Sequence, residues 1–437
     1  MKILTLSNLY PPNAVGGYEA LCFDVMQALA ANGHEIAVLT SSYGSKREDF
    51  AGQKVIRDLT LLAPQDNIYQ PFVCSEKERL RIDRDNVELL KQTVAAESPD
   101  VIFIWNLHFL DPSFLTAAQD SGVRTVFLLT DNWLMSFCNQ GFVTEYFARE
   151  VYGLGSDSPG LLTQLWRRFL RPGGGKKQLL RQAFNSLTRD PSETHFFSGS
   201  AIFGSQFVLD LYERAGLQFE AHAIIHHGTT PLQSLEGTAP DRSELLAENE
   251  LRLLFAGRVV DIKGAHTAIE ALPAIIKAMP GVQVTLKIVG DDRDRPYVEK
   301  LQQQVRSLGL DDVVSFAPVV AENELPALFQ SHDIYLFPSL YEPFALTLIH
   351  ALREGIPTVA SDAGGTPEIV SHRETGLLFS TADAADLARQ VVVLADSPSL
   401  RCAISKQATA IAAGFTFERM VGDVESHLLA VVAARDS

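Results

Sequence analysis

Short apolar runs alternate with amphipathic stretches along almost the whole chain of 437 residues, and the alternation comes in two series. This pattern is typical of parallel β-sheets covered by helices. A polar stretch containing Pro231, Gly237 and Pro240 separates the two series. Because a chain of this length exceeds the size of one ordinary core, the sequence predicts an α/β protein with two Rossmann-like parallel-sheet domains. In such sheets, ligands bind at the carboxyl ends of the strands, so we expect the two domains to face each other across one cleft.

The predicted domain boundaries follow from the position of the polar stretch. Residues 1–230 form an N-terminal domain, 231–250 a linker, and 251–417 a C-terminal domain. Each domain has apolar runs that predict six strands. In the N-terminal domain the predicted strands cover 2–7, 35–40, 101–106, 125–130, 194–197 and 223–226. In the C-terminal domain they cover 252–256, 283–289, 313–316, 334–337, 358–361 and 376–379.

The charge and cysteine content exclude some classes of partner and site. With 53 acidic and 37 basic residues, the formal net charge is −16. A surface this acidic does not hold a phosphate backbone over a wide area, so no nucleic-acid partner is expected. The four cysteines lie far apart in the sequence, which indicates reduced thiols rather than disulfides or a zinc site.

The N-terminal apolar run does not have the form of an export signal. It breaks at Tyr10-Pro11-Pro12 without a small-residue cleavage site. Later stretches do not reach the roughly 18 uninterrupted apolar residues of a membrane-spanning helix. A cytoplasmic location is therefore expected.

Residues 155–184 do not fit the alternation and are interpreted as an insertion in the N-terminal domain. Between 160 and 182, apolar residues at helical spacing are surrounded by basic residues, as in helices that lie on membrane surfaces. Two interpretations stay open. Either the segment contacts an acceptor or the inner face of a membrane, or its apolar face packs on its own domain and its basic residues are solvated.

The first strand leads into a loop with two adjacent glycines, Gly16 and Gly17, directly before a helix. Glycines at a helix start let a ligand approach the backbone, where free amides and the helix dipole favour an anion such as a diphosphate. A plain turn is the alternative. The loop is not the dinucleotide-binding fingerprint, because neither a third glycine nor a spaced acidic residue follows.

Two cations follow the first strand of the C-terminal domain. That strand ends in Gly257-Arg258, and Lys263-Gly264 stands at the start of the next helix. At the carboxyl edge of a sheet, Arg258 and Lys263 are well placed to neutralise a leaving diphosphate. Two ordinary surface cations would give the same local pattern.

A second motif begins at Glu342 and runs into a helix. Glu342 is either a simple helix cap or a carboxylate that binds sugar hydroxyls. Backbone amides after it are expected to face the ligand, namely those of Phe344, Ala345, Leu346 and Thr347. A second turn with adjacent glycines, at 361–368, again opens onto a helix.

Together these four elements resemble family 4 of the retaining glycosyltransferases, in that family's order and across nearly the whole chain. The resemblance implies a GT-B fold and a nucleoside diphosphate-sugar donor held mainly by the C-terminal domain, with a UDP- or GDP-sugar expected. It also implies that no cofactor or metal is required. The segment 418–437 is expected to form a last helix that crosses back onto the N-terminal domain.

The resemblance also assigns roles to individual residues. Arg258 and Lys263 match the family's diphosphate ligands, and Glu342 matches a glutamate that contacts the donor sugar. His108 lies where many members have a histidine near the transferred sugar, and Asp131 matches the aspartate of a His-Asp pair. The remaining residues expected to bind the donor are Gly16, Gly17, Gly257, Phe344, Ala345, Leu346, Thr347 and His350.

The sequence departs from the family pattern at three of these places. His350 stands where a second glutamate is expected to bind the ribose hydroxyls; an imidazole can bond a hydroxyl but lacks two charged oxygens. Ala345 replaces a glycine, and Thr130 replaces the histidine that often precedes Asp131. A literal Asp-x-Asp at 292–294, the metal-binding pattern of the other glycosyltransferase fold, is interpreted as a solvated polar loop.

The resulting hypothesis is a metal-independent retaining glycosyltransferase. It would move a hexose-type sugar from a nucleoside diphosphate-sugar to a glycan, lipid-linked or small-molecule acceptor in polysaccharide or glycoconjugate biosynthesis. Two alternatives stay open. One is another GT-B enzyme, such as a nucleotide-sugar epimerase or hydrolase, and the other is a non-catalytic binding scaffold.

Overall fold

The computed structural model describes residues 1–13, 17–44, 50–64, 72–153, 194–230, 242 and 249–434. The chain divides into two compact units. Unit 1 comprises Met1–Gly204, Val208–Ile225 and Val421–Ser437, and unit 2 comprises Ser205–Phe207 and His226–Met420.

Two predicted segments lie partly or wholly outside the described residues. The proposed insertion at 155–184 is one of them, and most of the proposed linker at 231–250 is the other. Arg242, a described residue within that linker range, is buried in unit 2. Its guanidinium donates to the carbonyl oxygens of His332 at 2.7 Å and Phe329 at 3.2 Å, so this part of the range packs as an element of unit 2.

Unit 1 contains a seven-stranded sheet in which every neighbouring pair is parallel. The strands are β1 (Lys2–Ser7), β2 (Glu35–Ser41), β3 (Gln53–Leu59), β4 (Val101–Asn106), β5 (Arg124–Leu129), β6 (His195–Phe203) and β7 (Leu217–Ile224). Their spatial order is β3-β2-β1-β4-β5-β6-β7. The order reverses between β1 and β4, and such a switch point opens a crevice at the carboxyl ends of the two strands.

Seven described helices include residues of unit 1. They are α1 (Gly17–Ala31), α2 (Glu76–Glu97), α3 (Pro112–Gln119), α4 (Trp133–Cys138), α5 (Gln140–Tyr146), α6 (Gln206–Arg214) and α13 (Phe417–Ala433). Two of them are divided: Gln206 and Phe207 of α6 are assigned to unit 2, whereas Val421 and the later residues of α13 are assigned to unit 1. That part of α13 is held by polar contacts, with Glu425 Oε1 2.7 Å from His34 Nε2 and His427 Nε2 2.8 Å from Ser200 Oγ.

Unit 2 contains a six-stranded sheet, again with every neighbouring pair parallel. The strands are β8 (Glu250–Ala256), β9 (Gln283–Val289), β10 (Val314–Ala317), β11 (Ile334–Phe337), β12 (Thr358–Ser361) and β13 (Leu377–Phe379). The order β10-β9-β8-β11-β12-β13 places the switch point between β8 and β11.

Helices cover both faces of this sheet. They are α7 (Ala265–Ala278), α8 (Arg295–Ser307), α9 (Leu325–Gln330), α10 (Leu346–Arg353), α11 (Ala384–Asp396) and α12 (Pro398–Ala412). Alternate residues of β8 show the two-sided burial, because Leu253 and Phe255 join one apolar cluster while Leu254 and Ala256 join the other. Among the helices in the described ranges, none combines the length and apolarity needed to cross a membrane.

The predicted α/β class with two parallel sheets is confirmed, and each of the twelve predicted strands overlaps an observed one. The prediction for 223–226 was displaced, because β7 runs from Leu217 to Ile224 and ends before His226. β3 was missed. It is an edge strand, so its alternating buried and exposed residues lack the continuous apolar run of a central parallel strand.

The loop after β8 meets the loop after β11 through backbone contact at Gly264. This residue has a φ of 71°, and a Cβ atom built on it would lie 1.9 Å from the carbonyl oxygen of Pro338. Only glycine combines the left-handed conformation with the missing side chain that this approach requires. Gly264 therefore fixes the spacing of the two loops that flank the switch point of unit 2.

We expect Gly264→Ala to destabilise unit 2 much more than Gly281→Ala. Gly281 also has a positive φ, 86°, but a Cβ there would meet nothing within 4 Å. The control should cost about 1 kcal/mol from backbone strain alone, and Gly264→Ala at least about 2 kcal/mol more because the loops must separate. Urea unfolding of both variants measures the difference. Equal losses of stability would show that the two loops are not in tight contact.

Candidate functional site

Three loops meet at the carboxyl edge of the unit 2 sheet. They follow β8, β11 and β12, and backbone and side-chain hydrogen bonds join them. The Gly365 N–H donates to the Glu342 carbonyl at 2.7 Å, and the Ser361 hydroxyl donates to the Ser339 carbonyl at 2.5 Å. Gly364, with a φ of 59°, would place a Cβ 2.2 Å from the Glu342 carbonyl oxygen. The adjacent glycines of the 361–368 turn thus allow its backbone to pack directly against the backbone of the Glu342 loop.

An ion pair lies where these loops meet. The Lys263 ammonium is 2.5 Å from Glu342 Oε2, and the side chains are 19% and 6% exposed respectively. Ser339 Oγ lies 3.4 Å from the same carboxylate oxygen. The ammonium is also 6.0 Å from the centre of the Phe337 ring. The structure therefore brings two predicted site residues into direct contact, although the sequence argument gave them separate roles.

Arg258 differs from Lys263 in having no fixed partner. It is exposed, and its side chain makes no hydrogen bond or ion pair with any residue in the described part of the chain. Asp291, in the loop after β9, has a pKa below its usual range. The main cause is the Arg293 guanidinium, and the positive charge of Arg258 adds a weaker effect. A free guanidinium at the carboxyl edge of a sheet is chemically suited to an anionic ligand.

Helix α10 begins beside this ion pair. Its N-cap residue, Ala345, offers no side-chain acceptor, so the first-turn amides have no side-chain cap. The Phe344 ring stacks on His226, with centroids 5.2 Å apart. The Thr347 side chain lies beside the buried Tyr335 hydroxyl, which donates to the Ala256 carbonyl oxygen at 3.0 Å. Backbone amides, rather than the side chains of Phe344 and Thr347, are therefore what this segment offers to a ligand.

His350 lies one turn further along α10 and is buried, with 6% of its surface exposed. Burial, assisted by the nearby Arg353, lowers the pKa of His350 to about 4, so the imidazole is neutral at pH 7. Its Nε2 atom lies 3.6 Å from Oε1 of Glu322, an exposed carboxylate in the 3₁₀ turn Glu322–Glu324. Sequence reasoning did not identify Glu322, which is 28 residues away.

The Asp-x-Asp sequence at 292–294 is occupied by local contacts. Asp292 pairs with Arg295 at 2.7 Å, and Asp294 caps α8 by accepting from the Tyr297 N–H at 3.4 Å. Among the described residues, no group of three or more histidine, cysteine or acidic side chains is arranged to hold a metal ion.

A second set of predicted residues lies at the carboxyl ends of β4 and β5 in unit 1. The His108 N–H donates to Asn106 Oδ1 at 2.8 Å, and burial lowers the pKa of the His108 imidazole. Phe109, whose ring is edge-on to His108, has a φ of 69°. A left-handed conformation is costly for a bulky residue, which is typical of backbone held for function.

Asp131 accepts a hydrogen bond from the Trp133 N–H at 3.0 Å, and the Tyr212 hydroxyl donates to its carbonyl oxygen at 3.0 Å. Burial raises the pKa of the Asp131 carboxyl to about 6, and the negative charge of Glu19 adds to the effect. Glu19 is itself buried, at 7% exposure, in the first turn of α1. Sequence reasoning missed Glu19 because an acidic residue at a helix start is common, and only the packing shows that this one is buried.

The glycine loop of unit 1 is described only in part. Gly16 lies outside the described residues, whereas Gly17 is the first residue of α1. A Cβ on Gly17 would meet nothing within 4 Å, and its φ is not in the left-handed range. The fold of unit 1 therefore does not itself require glycine at this position.

Breaking the Lys263–Glu342 pair from one side should destabilise unit 2. Lys263→Met leaves a buried carboxylate without a partner, which typically costs about 3–5 kcal/mol. The double variant Lys263→Met/Glu342→Gln removes both charges and should regain most of that stability. Thermal unfolding of both variants checks this. A double variant as unstable as the single one would show that the contact does not depend on charge.

Asp131 should make the stability of unit 1 depend on pH. The folded-state pKa of about 6 lies above the unfolded value near 3.8. The extra stability is therefore fully present below pH 4 and is lost as pH rises to about 6, by up to about 3 kcal/mol. Asp131→Asn, which keeps an acceptor for the Trp133 N–H, should remove this dependence, whereas Asp120→Asn, at an exposed site, should keep it. Thermal unfolding from pH 4 to pH 7 tests both, and parallel curves for the wild type and Asp131→Asn would contradict the expectation.

The chain is similar to known glycosyltransferases in sequence and in structure. The sequence model of the family described as "Glycosyl transferases group 1" matches residues 239–410, a range that contains the three loops of unit 2. An uncharacterized glycosyltransferase of Methanocaldococcus jannaschii is 25% identical over 388 residues, covering 86% of this chain and 84% of that protein.

Solved structures match over the full length. Sucrose-phosphate synthase from Thermosynechococcus elongatus has a TM-score of 0.66 and 20% identity, with 99% of each chain covered. Anabaena HepE, solved in complex with UDP and glucose, has a TM-score of 0.61 and 22% identity, covering 98% of this chain and 100% of HepE. The chain thus has the GT-B fold, and residues 239–410, which form most of its second unit, match the sequence model of the group 1 glycosyl transferases.

Proposed function

We propose that the chain transfers a hexose-type sugar from a nucleoside diphosphate-sugar to a hydroxyl group of an acceptor, with retention of anomeric configuration. The observation that carries the proposal is the group formed by the exposed Arg258, the Lys263–Glu342 ion pair and the uncapped start of α10, all at the carboxyl edge of one sheet. An edge of this kind is where parallel sheets bind ligands.

The donor's diphosphate would contact the cations and amides. Arg258 is free to form charge-assisted hydrogen bonds, and Lys263 can donate to a phosphate oxygen while it stays close to Glu342. The first-turn amides of α10 and the positive end of its dipole add to this attraction. These groups would stabilise the charge that develops as the diphosphate leaves.

Glu342 would orient the donor sugar. Its carboxylate is held by Lys263 and Ser339, so at least one lone pair is fixed in direction before a sugar hydroxyl arrives. A preorganised acceptor gains more from each hydrogen bond than a mobile one, because less conformational entropy is lost on binding.

In the proposed reaction, the bond from the anomeric carbon to the diphosphate breaks and a bond to the acceptor oxygen forms on the same face. The acceptor hydroxyl's proton passes to the leaving phosphate. His108 and Asp131 are proposed to lie on the acceptor side of the transferred sugar. Because pH 7 lies above its pKa of about 6, Asp131 is mostly ionised near neutral pH and can accept a hydrogen bond from a sugar or acceptor hydroxyl.

Gly16 and Gly17 are proposed to leave room for the diphosphate at the start of α1. The support comes from Gly17, where neither backbone conformation nor neighbouring atoms require glycine. A glycine that the fold does not require is consistent with a role in letting a ligand approach the backbone.

The first test is calorimetric titration with UDP, GDP, ADP and dTDP in the presence of EDTA. UDP is included first because HepE was solved with UDP. We expect one diphosphate to bind selectively, and Arg258→Ala to weaken its binding at least tenfold, since a hydrogen bond to a charged group is worth about 1.5–3 kcal/mol. Thermal stability should not change, because Arg258 is exposed.

Arg306→Ala is the matched control, an exposed arginine in the last turn of α8. It should leave nucleotide binding unchanged. If none of the four nucleotides binds, or if both arginine variants weaken binding equally, the donor site is not where we place it. Consumption of the nucleotide-sugar without any acceptor would favour the epimerase or hydrolase alternative.

A further inference from the structure

We propose that Glu322, together with the imidazole of His350, binds the vicinal hydroxyls of the donor's ribose. The inference rests on the proposed function, because it requires a nucleoside diphosphate at the start of α10. The carboxylate that binds the ribose would thus come from a 3₁₀ turn after β10 rather than from α10 itself.

The first step is the position of His350 along α10. It lies four residues after Leu346, the first residue of the helix, which corresponds to about 6 Å along the axis. A diphosphate at the helix start would therefore place the ribose of the same nucleotide beside His350. Both groups then bind on one side of a single helix.

The second step is the chemistry of His350. The imidazole is buried and neutral, so it offers one donor nitrogen, one acceptor nitrogen and no negative charge. Two ribose hydroxyls present two donors, and an ionised carboxylate is the side chain that accepts from both. His350 alone is thus an incomplete ribose site.

The third step is the availability of Glu322. Its side chain is 71% exposed, and its carboxylate Oε1 lies 3.6 Å from Nε2 of His350. That separation is longer than a hydrogen bond, and with His350 neutral the contact is not an ion pair. The carboxylate remains free to accept from a ligand whose second hydroxyl meets the imidazole.

The turn that carries Glu322 is held by a different residue. Glu324 Oε2 accepts a hydrogen bond from the Ala321 N–H at 2.8 Å, which closes the turn Glu322–Glu324. Glu322 is therefore not needed for the local backbone, and the two glutamates form a matched pair for substitution.

The test is calorimetric titration of the full chain with UDP and with 2′-deoxy-UDP, or with the GDP pair if GDP is the nucleotide that binds. The wild type should prefer the ribonucleotide by roughly tenfold, the loss expected for one hydrogen bond to a charged group. Glu322→Gln should reduce this preference to within about twofold. Glu324→Gln, which keeps an acceptor for Ala321, should retain it.

A third variant tests the pairing of the two positions. His350→Glu places a carboxylate on α10, and in that background Glu322→Gln should no longer reduce the ribose preference. Equal binding of UDP and 2′-deoxy-UDP by the wild type, or an unchanged preference in Glu322→Gln, would overturn the inference while leaving the donor site intact. Failure of every ribonucleotide to bind would instead overturn the proposed function.

Discussion

The Lys263–Glu342 ion pair is the interaction on which the organisation of unit 2 depends. Both groups are largely withdrawn from water, and removing a charge from water costs several kcal/mol unless a partner compensates. Each group thus constrains the loop of the other. Gly264 and Gly364 let those loops approach closely enough for the pair to form, since a side chain at either position would collide with the neighbouring backbone. Local glycine conformation and a buried electrostatic contact therefore support the same geometry.

Both units also contain residues whose burial or backbone conformation lowers the stability of the folded state. Asp131 is held where ionisation is costly, and His350 is held where protonation is costly. Phe109 adopts a backbone conformation that few bulky residues accept. Strain and shifted pKa values of this kind concentrate where function competes with stability. All three lie in or beside loops and helices that follow strand ends, which is consistent with a ligand-binding edge in each unit.

The sequence predicted the fold class and most strand ends well. Hydrophobic periodicity and continuous apolar runs indicate directly which residues of a strand or helix are buried. It therefore placed Arg258, Lys263 and Glu342 correctly on strand-end loops. It could not show that Lys263 and Glu342, 79 residues apart, touch each other. Glu19 and Glu322 were missed for the same reason, since their importance depends on neighbours distant in sequence. β3 escaped notice because an edge strand carries a polar side and so lacks a continuous apolar run.

Charge explains why these local arrangements matter for an anionic donor. With a formal net charge of −16, the chain repels a diphosphate at long range. Salt screens that repulsion beyond about 8 Å at physiological ionic strength, so short-range groups decide binding. Lys263 is already balanced by Glu342, which leaves Arg258 as the uncompensated cation among these three residues. The start of α10 contributes the equivalent of about half a positive charge. Donor affinity under the proposed function therefore depends mainly on the Arg258 guanidinium and on helix amides, because the charge of Lys263 is shared with Glu342. The buried pair instead fixes where the donor's sugar can lie.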